Sequence, residues 1–271
     1  MPKLSKNKSH GVLQNGFFAT VNDYPIAGGW GLKGKFFAVG DASGSIHAFD
    51  GTSGQEVWKN PQAHLGGILS MSVSSNGKQL ASVGQDGQLA LWDFADGQLQ
   101  HRTEIASGWV EHVAWSKSSN HLAVSSGRVL TILSSSGKKI WSSGNHPSTV
   151  SALGWVTDQE ISTACYGRVT FFNSSSGQEN ERLEWQGSLV SLALSPDGNV
   201  VACGSQDKSV HFWRRSNGQD SMMVNLTMVL SSIKMVFGML VGMKHLVDWS
   251  RFMIQCKKVL MLKLLHLHQQ F

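Results

Sequence analysis

Apolar residues fall in short alternating runs along most of the chain, and glycine-bearing polar turns separate them. The stretch Ala63 to Asp93, AHLGGILSMSVSSNGKQLASVGQDGQLALWD, shows the pattern most fully. Ile68, Met71 and Val73 mark one half-buried strand, and Ser75-Asn76-Gly77 a turn. Leu80 to Val83 form a second strand, Gln85-Asp86-Gly87 a tight turn and Leu89 to Trp92 a third strand. The period is two throughout, so the stretch predicts a β-meander.

The pattern repeats. Aligned on the third strand, the matching positions are Phe49, Trp92, Ile132, Phe172 and Trp213, at steps of 43, 40, 40 and 41 residues. A period of this length with three to four strands per unit predicts the blades of a β-propeller, an all-β fold. Five blades are read between residues 21 and 218. The first strand of blade 1, YPIAGGWGL, is poor, because Gly28, Gly29 and Gly31 weaken a strand interior. Blade 2 ends near Arg102. Blade 3 runs from Trp109 to Trp141, blade 4 from His146 to about Glu184, and blade 5 starts at Trp185. The turn before the third strand reads two residues shorter in blades 3 and 4 than in blade 2. Residues 1–20 read as a basic arm with a possible closing strand, and 219–271 as a separate tail.

Within blade 2 four residues stand at distinctive spacing. Ser82 lies eighteen residues after His64, Asp86 four after Ser82, and Trp92 six after Asp86. Three paired strands allow them to converge in one hydrogen-bond network. This GH…SPDG…S…D…WD pattern resembles a complete WD40 repeat. The resemblance covers residues 21–218 and implies five recognisable blades of a seven-bladed parent. It assigns His64, Ser82, Asp86 and Trp92 as a structural tetrad rather than a Ser-His-Asp hydrolase site. Blade 5 keeps Asp207 and Trp213 but has Trp185 in the His slot and Cys203 in the Ser slot. In blades 3 and 4 the Asp slot falls on Ser126 and Tyr166.

Charge narrows the function. Residues 1–218 carry 17 Lys and Arg against 16 Asp and Glu, and residues 219–271 carry 6 against 2. The near-neutral repeats give no electrostatic case for nucleic acid. Cys165, Cys203 and Cys256 have neither paired nor metal-ligand spacing and read as reduced thiols of a cytoplasmic protein. The basic N-terminus lacks the apolar core of a secretory signal. The tail holds eight of the ten Met and two of the 29 Gly. Its segment MMVNLTMVLSSIKMVFGMLVGM does not read as a membrane helix, since a central Lys alone costs about 2.5–3.5 kcal/mol on insertion scales. His266 and His268 lack a third metal ligand at any recognised spacing. A shifted frame, a gene-model error and an alternative splice each give such a change of composition, and the sequence leaves the three open. The tail is expected to be irregular or partly helical.

Five residues are candidates for partner binding. Arg128 and Arg168 each follow a Gly in the turn before the third strand and read as exposed. Trp109, Tyr166 and Trp185 lie in loops or turns of the same end. The WD40 resemblance makes that end the partner-binding top face and implies a non-catalytic protein-interaction scaffold with no cofactor; the alternative, with five blades of seven, is a truncated propeller without independent function. A second resemblance sits on FDGTSGQEVWKN and LSSSGKKIWSS, which look like the D-x-x-T/S-G-x-x-x-W motif of quinoprotein-type propellers, dehydrogenases and non-enzymatic assembly factors alike. No acidic cluster at a calcium- and quinone-site spacing accompanies it. Limited proteolysis is expected to cut within 219–271 well before the repeats, and first cuts between Val21 and Trp213 would contradict that division.

Overall fold

The computed structural model describes residues 19–118, 120–217 and 219–223. Among them the chain is all-β apart from a 3-10 turn at Leu32–Gly34, and every strand pair is antiparallel. Blade 1 is β1 (Pro25–Gly31), β2 (Phe36–Asp41), β3 (Ile46–Asp50) and β4 (Glu56–Asn60), hydrogen-bonded in that order. Blade 2 repeats the order with β5 (Ile68–Val73), β6 (Gln79–Gly84), β7 (Gln88–Asp93) and β8 (Leu99–Glu104). Blade 3 does so with β9 (His112–Trp115), β10 (His121–Ser126), β11 (Val129–Ser134) and β12 (Lys139–Ser142).

The remaining strands form one sheet: β13 (Ala152–Trp155), β14 (Glu160–Asn173), β15 (Glu179–Leu194), β16 (Val200–Ser205), β17 (Val210–Arg214) and β18 (Gln219–Met223). It contains two blades. β14 turns back on itself at Gly167, whose φ is +85°. Its ends are therefore neighbours: the Ser174 N–H donates to the Gln159 carbonyl at 2.8 Å, and its hydroxyl to the Asp158 carbonyl at 2.7 Å. β15 pairs with β14 up to Ser188 and with β16 from Leu189. It closes blade 4 and opens blade 5 without a loop. The first strands follow one another: β1 packs on β5, β5 on β9, β9 on β13 and β13 on β15.

The register corrects three expectations. Phe37 faces Phe49, Leu80 faces Trp92 and Val201 faces Trp213, each pair twelve residues apart. In blade 3 Leu122 faces Leu133, eleven apart. The turn is shorter by one residue, not two. Losing one residue changes which side chain turns toward the preceding blade. Leu133, not Ile132, therefore occupies the place of Trp92: it packs with Leu89 and Leu91 of blade 2, whereas Ile132 packs with Trp155 and Phe172 of blade 4. Next, β1 is a full strand despite its glycines. A Cβ on Gly29 would stand 2.8 Å from Val73 and one on Gly31 2.7 Å from Phe94, so these positions let blade 2 approach closely. Finally, residues 185–187 are strand rather than loop, and Gln219–Met223, assigned from sequence to the tail, form the outer strand of blade 5. Expectations for residues 1–18 and 224–271 lie outside the described residues.

The blades are joined at their outer rims by one recurring device. The Trp58 ring lies against Gly97, where a Cβ would come within 2.5 Å, and its indole N–H donates to the Phe94 carbonyl at 3.0 Å. Trp141 repeats this on Gly177 and the Ser174 carbonyl, and His101 lies on Gly137. These are the tryptophans of the D-x-x-T/S-G-x-x-x-W runs. The joint between blades 4 and 5 differs. Glu181 stands opposite Phe171, as Trp58 stands opposite Ala48. Arg215 binds Glu181 at 2.6 Å and Glu160 at 2.9 Å, with its guanidinium 4.0 Å over the Phe171 ring. Trp58→Ala is expected to destabilise by about 3–5 kcal/mol in urea unfolding, independently of salt. Arg215→Ala is expected to cost about 1–3 kcal/mol, a loss that shrinks as ionic strength rises; equal salt dependence of the two losses would contradict a charged fourth joint.

Candidate functional site

One end of the arc gathers the loops that open each blade and the turns between second and third strands. Within a blade the two are tied together. The Leu65 N–H donates to Asp86 at 3.1 Å, the Ser126 hydroxyl to the Trp109 carbonyl at 2.7 Å, and the Tyr166 N–H to the Ser148 hydroxyl at 2.8 Å. Each loop is also tied to the turn before it: His64 N–H to Gly44, Ala106 N–H to Gly87 and His146 N–H to Arg128, at 3.1, 3.2 and 2.8 Å. Fixed backbone therefore presents the side chains of this turn face.

Beneath the face of blade 2 lies a closed network. His64 Nδ1 is 2.9 Å from Asp86, and His64 Nε2 is 2.7 Å from the Ser82 hydroxyl. The Trp92 indole N–H donates to that same hydroxyl at 2.8 Å. Ser82 is 0% and His64 2% exposed, so this triad-like set has no route to a substrate. Burial pushes the His64 imidazole below its usual range, and the Asp86 hydrogen bond only partly offsets that. Burial raises the Asp86 carboxyl, but the His64 bond and charge and the Leu65 and Gln88 N–H groups leave it net lowered. Arg102 completes the set, 3.8 Å from Asp86.

The other blades depart from this arrangement. In blade 4 His146 Nε2 meets the Thr163 hydroxyl at 3.0 Å, while Nδ1 faces the Arg128 carbonyl rather than a carboxylate. In blade 5 Asp207 accepts from Ser209, whose hydroxyl lies 2.8 Å from His211 Nε2. The His211 ring sits between Trp185, at 3.7 Å, and Trp213, at 5.5 Å. Asp207 and Trp213 are thus connected through a third-strand histidine, and Trp185 packs into the core beside Leu192 and Leu194.

The five partner-binding candidates separate. Trp109 and Tyr166 are each 55% exposed. Arg128 is exposed in its turn, its Nε donating to the His146 carbonyl at 2.5 Å. Arg168, read as an exposed turn residue, lies within β14 opposite Glu184 and is half-buried, because the turn falls one residue earlier there. Its Nε is buried with no hydrogen-bond partner. Trp185 is half-buried. Sequence reasoning missed Leu65, 76% exposed on the same face; an apolar residue inside His64-Leu65-Gly66-Gly67 was its only signal. Cys165 is buried beneath Arg168 and Tyr166, and burial raises its thiol although Arg168 and Arg128 oppose the rise. Among the described residues no group of three or more His, Cys, Asp or Glu is placed to hold a metal ion. No helix among them is long and apolar enough to cross a membrane.

Two family models match the chain. One, described as outer membrane protein assembly factor BamB, covers residues 42–191, more than half of the sequence; the other, described as WD domain, G-beta repeat, covers residues 180–214. Telomerase protein component 1 of Mus musculus is 27% identical over 211 residues, covering 76% of this chain and 8% of that protein. Meiotic fizzy-related protein 1 of Schizosaccharomyces pombe is 28% identical over 148 residues, covering 51% of this chain and 35% of that protein. The guanine nucleotide-binding protein subunit beta-1 of Homarus americanus is 27% identical over 161 residues, covering 55% and 46%. The chain spans less than half the length of each of these relatives.

Two of the buried imidazoles, His64 and His146, set a pH dependence. Burial lowers both His64 and His146, so between their folded values and about 6.5 the unfolded chain binds more protons. Stability is therefore expected to be full above about pH 6.5 and to fall as pH drops below it. His146→Gln should lessen that slope in urea midpoints measured across the range; an unchanged slope in the variant would exclude His146 as a source.

Proposed function

This chain belongs to the WD40-type β-propeller family and, through residues 42–191, to the family of outer membrane protein assembly factor BamB; from that premise we propose that it is a non-catalytic scaffold that holds protein partners on its turn face. One observation carries the reading. Leu65, Trp109 and Tyr166, from blades 2, 3 and 4, stand more than half exposed on one hydrogen-bonded face, with Arg128 among them. Rigid backbone with exposed aromatic and arginine side chains is the composition of interface hot spots. Two relatives, a telomerase protein component and a guanine nucleotide-binding protein subunit, are by name parts of larger assemblies. We take residues 21–223 as the binding unit. The free thiols of Cys165 and Cys203 suit a cytoplasmic setting.

The D-x-x-T/S-G-x-x-x-W runs bring a second reading, a quinone- and calcium-dependent dehydrogenase. Trp58 and Trp141, which those runs supply, serve as blade joints, a role that a catalytic and a non-catalytic propeller share; the scaffold reading is preferred for the exposed residues of the turn face.

The scaffold reading is tested with the full chain immobilised and bound proteins quantified by mass spectrometry. The Leu65→Ser/Trp109→Ser/Arg128→Ser variant is expected to lose a defined set of captured proteins. Val57→Ser/Leu99→Ser, on outer strands, should retain that set. Identical capture by all three proteins would remove the turn face as the binding surface.

A further inference from the structure

Every internal seam joins two unlike faces. Between blades 2 and 3, Ala81 and Leu91 belong to the blade 2 side, and Trp115 and Leu122 to the blade 3 side; all four are buried. The register carries both sides to the ends of the arc. Trp30 faces Phe37 in blade 1 as Trp115 faces Leu122 in blade 3. Ala202 faces Phe212 in blade 5 as Ala81 faces Leu91 in blade 2. Among the described residues no blade covers either pair. Trp30 is 40% exposed where Trp115 is 7%, and Phe37, Ala202 and Phe212 are half-buried where Leu122, Ala81 and Leu91 are buried. The Trp30 ring is held in place, 4.9 Å from the Phe37 ring and against Gly51, where a Cβ would come within 2.6 Å. Blade 5 offers small residues instead: Ser191, Ala193, Ala202 and Gly204 line part of a recess of about 330 Å³. Ser191 also takes the place of Ser70, whose hydroxyl accepts the Val113 N–H across the seam of blades 2 and 3 at 3.3 Å.

We propose that blade 1 of one copy of this chain stacks on blade 5 of a second copy, forming between chains the seam that recurs within each. Trp30 and Phe37 enter on the small-residue face, as Trp115 and Leu122 enter on blade 2. The second copy is the fitting occupant because the chain carries both halves of the joint and leaves both open. An end blade packed on one neighbour forgoes half of the burial that stabilises a stacked repeat, and its apolar face stays in water until it meets the complementary one. The joint is heterologous: each copy uses a different face, so every dimer keeps one open face of each kind. The turn face takes no part in it, and the proposal stands apart from the scaffold reading.

The test is the mass of the full chain in solution, by sedimentation velocity. The wild-type chain is expected to pass from one copy to two and more as its concentration rises. Trp30→Arg closes the blade 1 face and Ala202→Arg the blade 5 face, so each variant alone is expected to stay at one copy while keeping the wild-type circular dichroism. Mixed, the two should form a dimer and nothing larger, because one productive pair of faces remains. Ile140→Ser, on the exposed side of an outer strand, should associate as the wild type does. A second readout needs no substitution: amide exchange of β1 and of β16 and β17 in the wild-type chain should slow together as concentration rises. A wild-type chain that stays single at every concentration, a mixture of the two variants no heavier than its components, or slowing confined to one of the two faces would overturn the proposal.

Discussion

The constraint on which the arc depends is the seam between neighbouring blades. Each blade is a four-stranded sheet that buries neither face alone, so its stability comes from the sheet stacked on it. Twisted sheets close this gap only where one of them yields volume. In this chain glycine yields it: Gly29 and Gly31 at the inner strand admit Val73 and Phe94, and Gly97, Gly137 and Gly177 at the rim admit Trp58, His101 and Trp141. Large rings fall where the facing sheet is smallest. The seam between blades 4 and 5 meets the same need differently, with Arg215 held between two glutamates over the Phe171 ring.

A second layer of order lies under the turn face. Where a blade keeps its turn aspartate, as blade 2 does, the charge of that end is consumed internally and the surface above it is apolar, as at Leu65. Where the aspartate is absent, as in blade 4, the histidine is held by a backbone carbonyl and a threonine hydroxyl instead.

Much of this architecture is written in the period and turns of the chain. The 40-residue spacing, the glycine turns and the alternation of apolar residues are local signals, and they specify strands, blades and fold. What escaped the sequence was set by register. One residue fewer in the turn of blade 3 exchanges Ile132 for Leu133 against the preceding blade, and nothing local marks that exchange. Arg128 and Arg168 look alike in sequence because each follows a glycine, yet one lies in a turn and the other in a strand paired with Glu184. Trp185 read as a loop residue because the other blades open with loops, whereas here strand pairing continues through it. The glycines of β1 lowered its strand propensity, but the packing of blade 2 against them outweighs propensity.

That continuous strand has a consequence for how the arc comes apart. In stacked repeats each unit frays separately when the coupling to its neighbour is weak. Blades 1, 2 and 3 are linked by loops and side-chain joints, so they are free to open one at a time. Blades 4 and 5 share β15, and its backbone hydrogen bonds run from Glu179 to Leu194 across the boundary. Opening either blade breaks a ladder that the other also uses. The two are therefore expected to exchange their amide hydrogens as a single cooperative block, unlike blades 1 to 3.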